Sequence, residues 1–401
     1  MFDRVFKAFR YRDFRLMWFG ACTSSVGTWM QSTAQSWLVY KLSNSPVYLG
    51  LDAFFAQIPI FLFSLLGGVY ADRKSRRTLL IISQCIQLTC AFLLAFLAAA
   101  NVVKVWHIWC LSFMVGTAQS FGGPAYSALV PSLVEKEDLQ NAIALNSIQF
   151  NLARVVGPAL GGLALIKLGP AWCFTLNGIS YLAVIASLLS IHTTFVPPKI
   201  PRTVLESMRE GVQFLWNREG MAGLVSIGFL VTLLSYPLIT FLPVIARNVF
   251  HGEADTFTLF LCLSGAGSVV GALTVAAMHS QKGQVRQSLA VMLLLGGFLT
   301  GIGFSKTLWV TCLLIFCSGI LLMIVFALNS SLVQSHTSDA MRGRVMSVYN
   351  LAFRGGMPMG SLLSGLVMSR TSAPATMTAN GVAIAAVAIS FLLAGRKLSK
   401  L

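Results

Sequence analysis

The chain has 401 residues, of which 56% are hydrophobic and only 10% are charged. Because soluble domains carry about 25% charged residues, this composition excludes an ordinary soluble protein and indicates a chain that crosses a membrane several times. The net charge of +16 would suggest nucleic-acid binding in a soluble protein, but here the basic residues stand between apolar segments and reflect membrane topology.

The first ten residues predict an amphipathic element. On a helix, Phe2, Phe6 and Phe9 share one face, and basic residues occupy the remainder. This pattern is typical of an interfacial helix that lies at the membrane surface beneath the first span. It does not have the continuous apolar region of a secretory signal.

Twelve apolar segments follow along the chain, each close to the length of about 20 residues that a helix needs to cross a bilayer. Their predicted bounds are 15–39, 48–71, 78–100, 105–130, 141–166, 171–191, 221–246, 256–279, 287–304, 307–332, 345–368 and 374–394.

Lysine and arginine are distributed unequally between the two sides of these segments. The side that holds both termini carries 21 of them, and the opposite side carries six. By the positive-inside rule, both termini are therefore predicted to be cytoplasmic. This requires an even number of spans, and twelve satisfies the requirement.

The longest polar stretch, residues 192–220, contains an amphipathic piece at 204–216 and separates two sets of six spans. The predicted domains are an N-terminal six-helix bundle with its interfacial helix (1–191), a cytoplasmic linker (192–220) and a C-terminal six-helix bundle (221–401). The predicted fold is an all-α membrane protein whose two bundles are pseudo-symmetric.

An internal repeat supports this division. When the sequence is shifted by 200 residues, the Arg-x-x-x-Pro run of Arg154–Pro158 meets that of Arg354–Pro358. Because the offset equals half the chain length, duplication is a better explanation than chance.

A short loop with five charges in six residues joins the second and third segments. Burying a charge at the bilayer centre costs about 2.5–3.5 kcal/mol, so the loop must lie at a water interface. We expect Asp72 to bind a helix end of the other half and close the cytoplasmic side, with Gly68 allowing the close approach. Arg73, Arg76 and Arg77 would pair with Asp72 or with anionic lipid. The alternative is a basic cytoplasmic loop with no gating role.

Arg154 lies in the middle of the fifth predicted span, where a charge is tolerated only if it faces a cavity or a partner. It is followed by a G-P-x-x-G-G run comprising Gly157, Pro158, Gly161 and Gly162. Small residues allow close helix packing, and the proline loosens one turn so that the helix can bend. A packing seam without a transport role is the alternative.

The first span carries a polar stripe of Thr28, Gln31, Ser32 and Gln35, which either lines a central cavity or bonds a neighbouring helix. Further polar groups inside spans complete the candidate substrate cavity. Its predicted residues are Gln31, Gln35, Gln57, Gln119, Asn151, Arg154, Tyr236, Asn329, Asn350 and Arg354. Amides, aromatic rings and two arginines suit an amphiphilic or anionic organic solute and suit a bare metal cation poorly. The cysteines and histidines form no ligand pattern, so no metal or other cofactor is predicted.

Among the thirteen acidic residues, only Asp52 lies inside a predicted span away from a cytoplasmic loop. A proton-coupled carrier needs a group that titrates as its cavity changes face, so Asp52 is the candidate proton site, with Arg154 as a second candidate for the coupling. The alternative places Asp52 at a helix end in the outer headgroup region.

The charged loop resembles the G-x-x-x-D-[RK]-x-G-x-[RK]-[RK] loop between helices 2 and 3 of the major facilitator superfamily. Ser75 replaces the usual glycine of that pattern. The G-P-x-x-G-G run resembles the helix 5 signature of drug/proton antiporters. The fourth predicted span departs from that group, because residues 114–124 lack the arginine that many of its members carry there.

Four longer segments, 12–16, 27–31, 138–147 and 151–162, resemble one branch of the superfamily. This is the transmembrane secretion effector group, which includes siderophore exporters of the enterobactin-exporter type and macrolide-efflux-like proteins. The resemblance implies a bacterial inner-membrane exporter driven by the proton gradient, and it does not identify the solute.

These observations predict a monomeric secondary transporter that works by alternating access, in which two halves rock about a midplane site. An importer with the same fold is the first alternative, and a non-transporting membrane scaffold is the second. An enzyme is not expected, because the spans contain no convergent acid, base or metal-binding groups. An ATP-driven pump is not expected either, because the chain has no G-x-x-x-x-G-K-[ST] loop.

Overall fold

A computed structural model of the protein describes residues 6–191, 204–218, 220–278 and 283–393, excluding the side chains of Asp72, residues 204–207, Asp339 and Ala340. Throughout these residues the regular structure is helical. The helices are α1 (Arg12–Ser43), α2 (Pro46–Arg73), α3 (Arg76–Ala99), α4 (Val105–Leu129), α5 (Leu139–Leu168), α6 (Pro170–Ser190), α7 (Val204–Asn217), α8 (Met221–Thr240), α9 (Leu242–Phe250), α10 (Ala254–Ala277), α11 (Gln284–Phe304), α12 (Leu308–Ser335), α13 (Asp339–Arg370) and α14 (Ala373–Leu393).

The predicted all-α membrane fold is confirmed. Within the described ranges, nine helices are long and apolar enough to cross a membrane by length and composition. The other three predicted spans correspond to α1, α4 and α13, which are 32, 25 and 32 residues long. The spans 15–39 and 345–368 lie within α1 and α13, and the span 105–130 extends one residue past the end of α4.

The helices group into two compact units. Unit 1 comprises Met1–Ser43 and Phe55–Pro201, and unit 2 comprises Asn44–Phe54 and Arg202–Leu401. The short segment Asn44–Phe54 therefore packs with the second half of the chain. The three-part domain scheme drawn from the sequence stays a prediction.

In unit 1, α1 packs on α5 and α6, and α3 packs on α4 and α6. In unit 2, α8 packs on α13, α10 packs on α12, and α11 packs on α12 and α14. Small residues allow the close approaches. Gly116 of α4 faces the carbonyl of Ala56, and Gly319 of α12 faces the carbonyl of Ser264. The same kind of glycine contact thus recurs in both units.

The repeat is clearest where α5 meets α1 and where α13 meets α8. A Cβ on Gly157 would lie 2.9 Å from the carbonyl oxygen of Val26, and a Cβ on Gly356 would lie 2.5 Å from that of Phe229. A second glycine, one turn on, repeats the contact in each unit, at Gly161 and Gly360 respectively. Both helix pairs therefore pack backbone against backbone along a seam of glycines.

The first turns of α2 pack within unit 2. A Cβ on Gly50 would lie 2.7 Å from the carbonyl oxygen of Ser361, and a Cβ on Gly365 would lie 3.0 Å from that of Pro46. Glycines on both helices therefore bring the backbones of α2 and α13 together, so residues 44–54 belong to unit 2.

The predicted seventh span, 221–246, differs from a single helix. It consists of α8 and α9, which meet at Phe241, where the chain leaves helical geometry. Pro243 falls in the first turn of α9. A proline is favourable at that position, because the N–H it lacks has no partner within the helix.

The amphipathic piece predicted at 204–216 forms α7, which packs on α13. Leu215 is buried in a cluster with residues of α8, α12 and α13. Gly211 lies against the backbone of Arg344, whose side chain forms an ion pair with Glu210. Leu215 and Gly211 therefore fasten α7 to the bundle, whereas Val212 and Trp216 stay exposed.

The described part of the N-terminal arm is a single 3-10 turn, Lys7–Arg10, where the sequence predicts a continuous interfacial helix. Ala8 is fully buried in a cluster with residues of α1 to α6. Phe6 and Phe9 stack at 5.8 Å, in agreement with their predicted common face. Phe2 lies outside the described residues.

Candidate functional site

The polar stripe on α1 is largely used to bond neighbouring helices. Gln31 accepts a hydrogen bond from Asn177 of α6 at 2.7 Å, and Gln35 donates one to Ser112 of α4 at 2.9 Å. Thr28 bonds the hydroxyl of Tyr181 on α6 at 3.1 Å. These bonds support the interpretation that the stripe ties helices together. Whether the same residues also contact a solute stays a prediction.

Gln87 of α3 lies at the centre of this network, although it is not among the residues predicted for the cavity. Its side-chain oxygen accepts hydrogen bonds from Gln119 of α4 at 3.2 Å and from the Tyr181 hydroxyl at 3.3 Å. Its amide nitrogen donates to Ser83 at 3.1 Å. Gln87 is 3% exposed, and a buried amide is stable only with such partners. One polar side chain inside an apolar span was the signal that could have identified it.

The remaining amides and aromatic residues of the predicted cavity are scattered. Gln57 on α2 and Tyr236 on α8 are half-buried, whereas Asn350 and Arg354 on α13 are exposed. Asn329 is buried and donates a hydrogen bond to the carbonyl of Leu224 at 3.1 Å, which fastens α12 to α8.

Arg154 lies near the midpoint of α5, half-buried. Its guanidinium carbon is 5.9 Å from the centroid of the Trp29 indole on α1, a cation–π distance. Phe150, one turn earlier, meets the same indole edge to face at 6.4 Å. Asn151 donates to the carbonyl of Ser147 at 2.8 Å. One cation and two aromatic rings therefore share one place on unit 1.

The G-P-x-x-G-G run determines this arrangement. Gly157, Pro158, Gly161 and Gly162 are all buried. A Cβ on Gly157 would collide with the Cβ of Trp29, so only glycine allows α5 to approach α1 this closely. The run is thus a packing seam, and the seam also places Arg154 beside the indole.

Asp52, the candidate proton site, is 5% exposed on α2, in the segment that packs with unit 2. Its burial differs from that of a helix-end residue in a solvated headgroup layer. Its role in proton coupling stays a prediction.

The charged loop has only two residues, Lys74 and Ser75, between α2 and α3. Ser75 caps α3, because its hydroxyl accepts a hydrogen bond from the N–H of Thr78 at 3.3 Å. The serine that replaces the usual glycine is therefore suited to this turn, since serine is a preferred N-cap residue.

Two arginines of the loop bind helix ends within unit 1. Arg76 donates to the carbonyl of Ala128 in the last turn of α4, at 2.7 Å. Arg77 donates to the carbonyls of Leu188 and Leu189 in the last turn of α6, at 2.6 and 2.8 Å. Basic groups are favourable here, because the last carbonyls of a helix have no partner within it and carry partial negative charge.

The other predicted gate residues are Gly68, Asp72 and Arg73, and for these no contact with a helix end is described. Arg73 is exposed, and the side chain of Asp72 lies outside the described part of the structure. A Cβ on Gly68 would meet nothing within 4 Å, whereas a Cβ on Gly67 would collide with the backbone of Ser120. Within the described residues it is therefore Gly67 that permits a close helix approach. The gating role of the loop stays a prediction.

An ion pair with two hydrogen bonds fastens the N-terminal arm to the start of α5. Arg10 pairs with the buried carboxylate of Asp138 at 2.6 Å, and the Tyr11 hydroxyl donates to the same carboxylate at 3.0 Å. The backbone N–H of Ala8 donates to the side-chain oxygen of Asn141 at 2.9 Å.

The titration of this cluster follows from its contacts. The hydrogen bond from Arg10 to the Tyr11 hydroxyl raises the pKa of the guanidinium above its ordinary value, and desolvation raises the pKa of the Tyr11 hydroxyl above its ordinary value. Both groups therefore keep their protons at neutral pH.

Comparison with known proteins gives matches over nearly the whole chain. A family model described as transmembrane secretion effector matches residues 4–399. The staphyloferrin A transporter of Staphylococcus aureus is 25% identical over 379 residues, which cover 93% of this chain and 94% of the relative. The enterobactin exporter EntS of Escherichia coli is 27% identical over 389 residues, with coverages of 95% and 91%.

Solved structures of low identity share the fold. The nucleoside transporter NupG superposes with a TM-score of 0.73 at 14% identity, covering 95% of this chain and 98% of its own. A bacterial homologue of the human lysosomal transporter Spinster, inward-facing and unoccupied, gives a TM-score of 0.75 at 13% identity, covering 98% of each chain.

Proposed function

The chain belongs to the transmembrane secretion effector family and is a multi-pass membrane transporter of the major facilitator type, and from this we propose that it exports a small amphiphilic organic solute in exchange for protons. The observation that carries the proposal is the family match over residues 4–399, together with a relative named as an exporter that aligns over 95% of this chain.

The polar groups of the spans support a drug-like or siderophore-like solute. They are amides, aromatic rings and arginines, which offer hydrogen-bond donors and apolar contact to an oxygen-rich molecule. The candidate cavity contains no acidic cluster to hold a metal cation, since its ten predicted residues include no carboxylate.

Proton coupling is assigned to Asp52, with Arg154 as the second candidate. Asp52 is buried and is a carboxylate within a membrane-length helix. Such intramembrane carboxylates commonly belong to proton or ion pathways. Protonation from the outer side would accompany release of the solute, and loss of the proton to the cytoplasm would restore the carrier for the next cycle.

The transporter is proposed to work as a monomer in the bacterial cytoplasmic membrane, with both termini in the cytoplasm. The excess of lysine and arginine on the side of the termini supports this orientation. Asp72 is proposed to close the cytoplasmic side during alternating access.

Transport into inverted membrane vesicles tests the proposal. Vesicles from overexpressing cells, energised by respiration, are given enterobactin or the amphiphilic cation ethidium as probes. We expect uptake of at least one probe, loss of that uptake with a protonophore, and loss of the protonophore-sensitive part in the Asp52→Asn variant.

Two results would contradict the proposal. Uptake that persists in the presence of a protonophore would contradict proton coupling. Accumulation in right-side-out vesicles and none in inverted ones would instead establish an importer.

A further inference from the structure

Trp29, Phe150 and Arg154 form a group on unit 1 that we name the indole–arginine platform. The guanidinium lies over the indole at 5.9 Å, and Phe150 meets the indole edge to face at 6.4 Å. Trp29 and Arg154 are half-buried, and Phe150 is 54% exposed. Arg154 and Phe150 therefore both pack on the indole of Trp29, and Phe150 keeps more than half of its surface exposed.

The position of the platform within the spans is unusual for such a group. Arg154 is 15 residues from the start of α5 and 14 from its end, so it lies about 20 Å from either end of the helix. Trp29 is likewise close to the middle of α1. A guanidinium at that depth is expensive unless it has a partner or a water-filled surrounding, which makes it a candidate for function.

The equivalent place in unit 2 lacks the platform. Gly157 packs against Trp29 and Val26, and its packing counterpart Gly356 packs against Thr232 and Phe229. A buried threonine therefore stands in unit 2 where unit 1 has the indole. The glycine seam is the same in both units, so the seam alone does not require a tryptophan or an arginine.

Arg354 is not the packing counterpart of Arg154, although the two align when the sequence is shifted by 200 residues. The seam glycines Gly157 and Gly356 differ by 199 residues, which places Phe353 at the position of Arg154. One residue on a helix is a rotation of about 100°. Phe353 packs on Phe326 at 4.7 Å, and Arg354 is exposed. The cation with its two rings thus belongs to unit 1 within the described residues.

We propose that the indole–arginine platform binds the solute and selects for molecules that carry an aromatic ring together with an acidic group. The proposal deepens the proposed function and rests on it. The rings of Trp29 and Phe150 offer stacking and edge contacts to a planar ring. The guanidinium, 5.9 Å from the indole centroid, carries N–H donors in a planar fork whose geometry matches a carboxylate.

Equilibrium binding to the purified full-length protein in detergent tests this selectivity without any gradient. The probes are 2-naphthoate, its ring-saturated counterpart decahydro-2-naphthoate, and the neutral 2-naphthamide. We expect the wild-type protein to bind 2-naphthoate about three- to tenfold more tightly than the saturated acid, because only the aromatic ring can stack.

Variants of the platform separate its two parts. Trp29→Thr, which introduces the residue of unit 2, should reduce the aromatic preference to about one, and Trp29→Phe should retain most of it. Arg154→Gln should weaken 2-naphthoate binding about tenfold while leaving naphthamide binding unchanged, because it removes a charge-assisted bond. Arg154→Lys should lie between Arg154→Gln and wild type.

The matched controls are Trp309→Thr and Arg370→Gln, which alter exposed residues near helix ends. Both should keep the wild-type preferences. Equal wild-type affinity for the aromatic and saturated acids would overturn the proposal. Retention of the aromatic preference in Trp29→Thr would also overturn it. If the threonine variant does not fold, loss of the aromatic preference in Trp29→Phe would overturn the proposal instead.

The binding test and the transport test can fail separately. Binding is measured at equilibrium and needs neither a proton gradient nor a direction of transport. Absence of proton-coupled uptake in vesicles would leave the binding result intact, and absence of ring selectivity would leave proton-coupled export intact.

Discussion

Gly157, in the middle of α5, is packed against α1, whereas Gly68, near the end of α2, has no close neighbour. Substitution of each glycine by alanine tests the effect of this difference on stability. In Gly157→Ala the new Cβ would collide with Trp29 and approach the carbonyl of Val26. We expect the free energy of unfolding to fall by about 1–3 kcal/mol, as for other overpacked cores. The readout is the apparent Tm of the purified protein in detergent.

Gly68→Ala is the matched control for that change. A Cβ at Gly68 has nothing within 4 Å, and alanine is a better helix former than glycine by about 0.5–1 kcal/mol. Its Tm should therefore equal or exceed that of the wild type. An equal decrease of Tm in both variants would mean that the close contact between α5 and α1 does not contribute to stability.

Two glutamines of α3 provide a second test at this scale. Gln87 bonds Gln119, Tyr181 and Ser83, whereas the side-chain oxygen of Gln84 is buried with no hydrogen-bond partner among the described residues. Gln87→Leu should destabilise the protein by about 1–2 kcal/mol, since single bonds between membrane helices contribute about 0.6 kcal/mol on average.

Gln84→Leu is expected to be neutral or stabilising, because it removes a buried acceptor that is not satisfied. Thermal unfolding of the two variants side by side measures the difference. A larger loss for the Gln84 change than for the Gln87 change would contradict this description of the network.

Single residues were predictable where chemistry alone restricts their surroundings. Arg154 was identified because a charge in mid-span needs a special environment, and the cation–π contact with Trp29 provides part of one. Gln87 and Tyr181 were missed. Hydrogen-bond partners such as these lie 32 to 153 positions away along the chain, and the periodicity of one helix carries no information about which helix it will face.

At the scale of elements, the tight turn between α2 and α3 is followed by two arginines that bind the ends of α4 and α6. Arg77 binds the last carbonyls of α6, and Ser75 caps the start of α3. The turn therefore fixes a helix end that is far away in sequence. The basic residues of this loop serve the structure of unit 1, in addition to any part they play at the membrane surface.

We expect Arg77→Ala to loosen the last turn of α6. Two charge-assisted hydrogen bonds are lost, so local opening becomes easier and amide exchange at 186–191 should rise about tenfold or more. Hydrogen–deuterium exchange with mass spectrometry measures this directly. Arg73→Ala, which changes an exposed arginine of the same loop, should leave exchange in this segment at the wild-type rate.

Helix positions were largely predictable from apolar run length, because a bilayer demands about 20 apolar residues per span. The break between α8 and α9 at Phe241 was not predictable, because the run 221–246 is apolar on both sides of it. The N-terminal arm was predicted to be amphipathic, but its single 3-10 turn depends on the distant partners Asp138 and Asn141.

At the scale of the whole molecule, the orientation in the membrane is open to a direct test. We expect green fluorescent protein fused after Leu401 to fluoresce, because the positive-inside rule places this end in the cytoplasm. Alkaline phosphatase fused after Gly252, between α9 and α10, should be active, since that connection is predicted to lie outside. Active phosphatase at Leu401 would contradict the predicted topology.

The duplication of the chain was predictable in outline but not in register. A shift of 200 residues aligns the prolines Pro158 and Pro358, whereas the seam glycines Gly157 and Gly356 align at 199. An alignment by sequence pairs identical residues. An alignment by packing pairs glycines that face the neighbouring helix in the same way. The sequence alignment therefore pairs Arg154 with Arg354, and the packing alignment pairs it with Phe353. Only the packing alignment explains why Arg154 and Arg354 have different surroundings.

The attachment of the N-terminal arm has a consequence for biogenesis. Arg10 and Ala8 are held by Asp138 and Asn141, which the ribosome adds more than 125 residues later. During synthesis the first four helices are therefore made before the arm can form these two contacts. The ring contacts of Phe9 with α1 are available from the start, whereas the ion pair and the hydrogen bond form only when the nascent chain has reached the fifth helix.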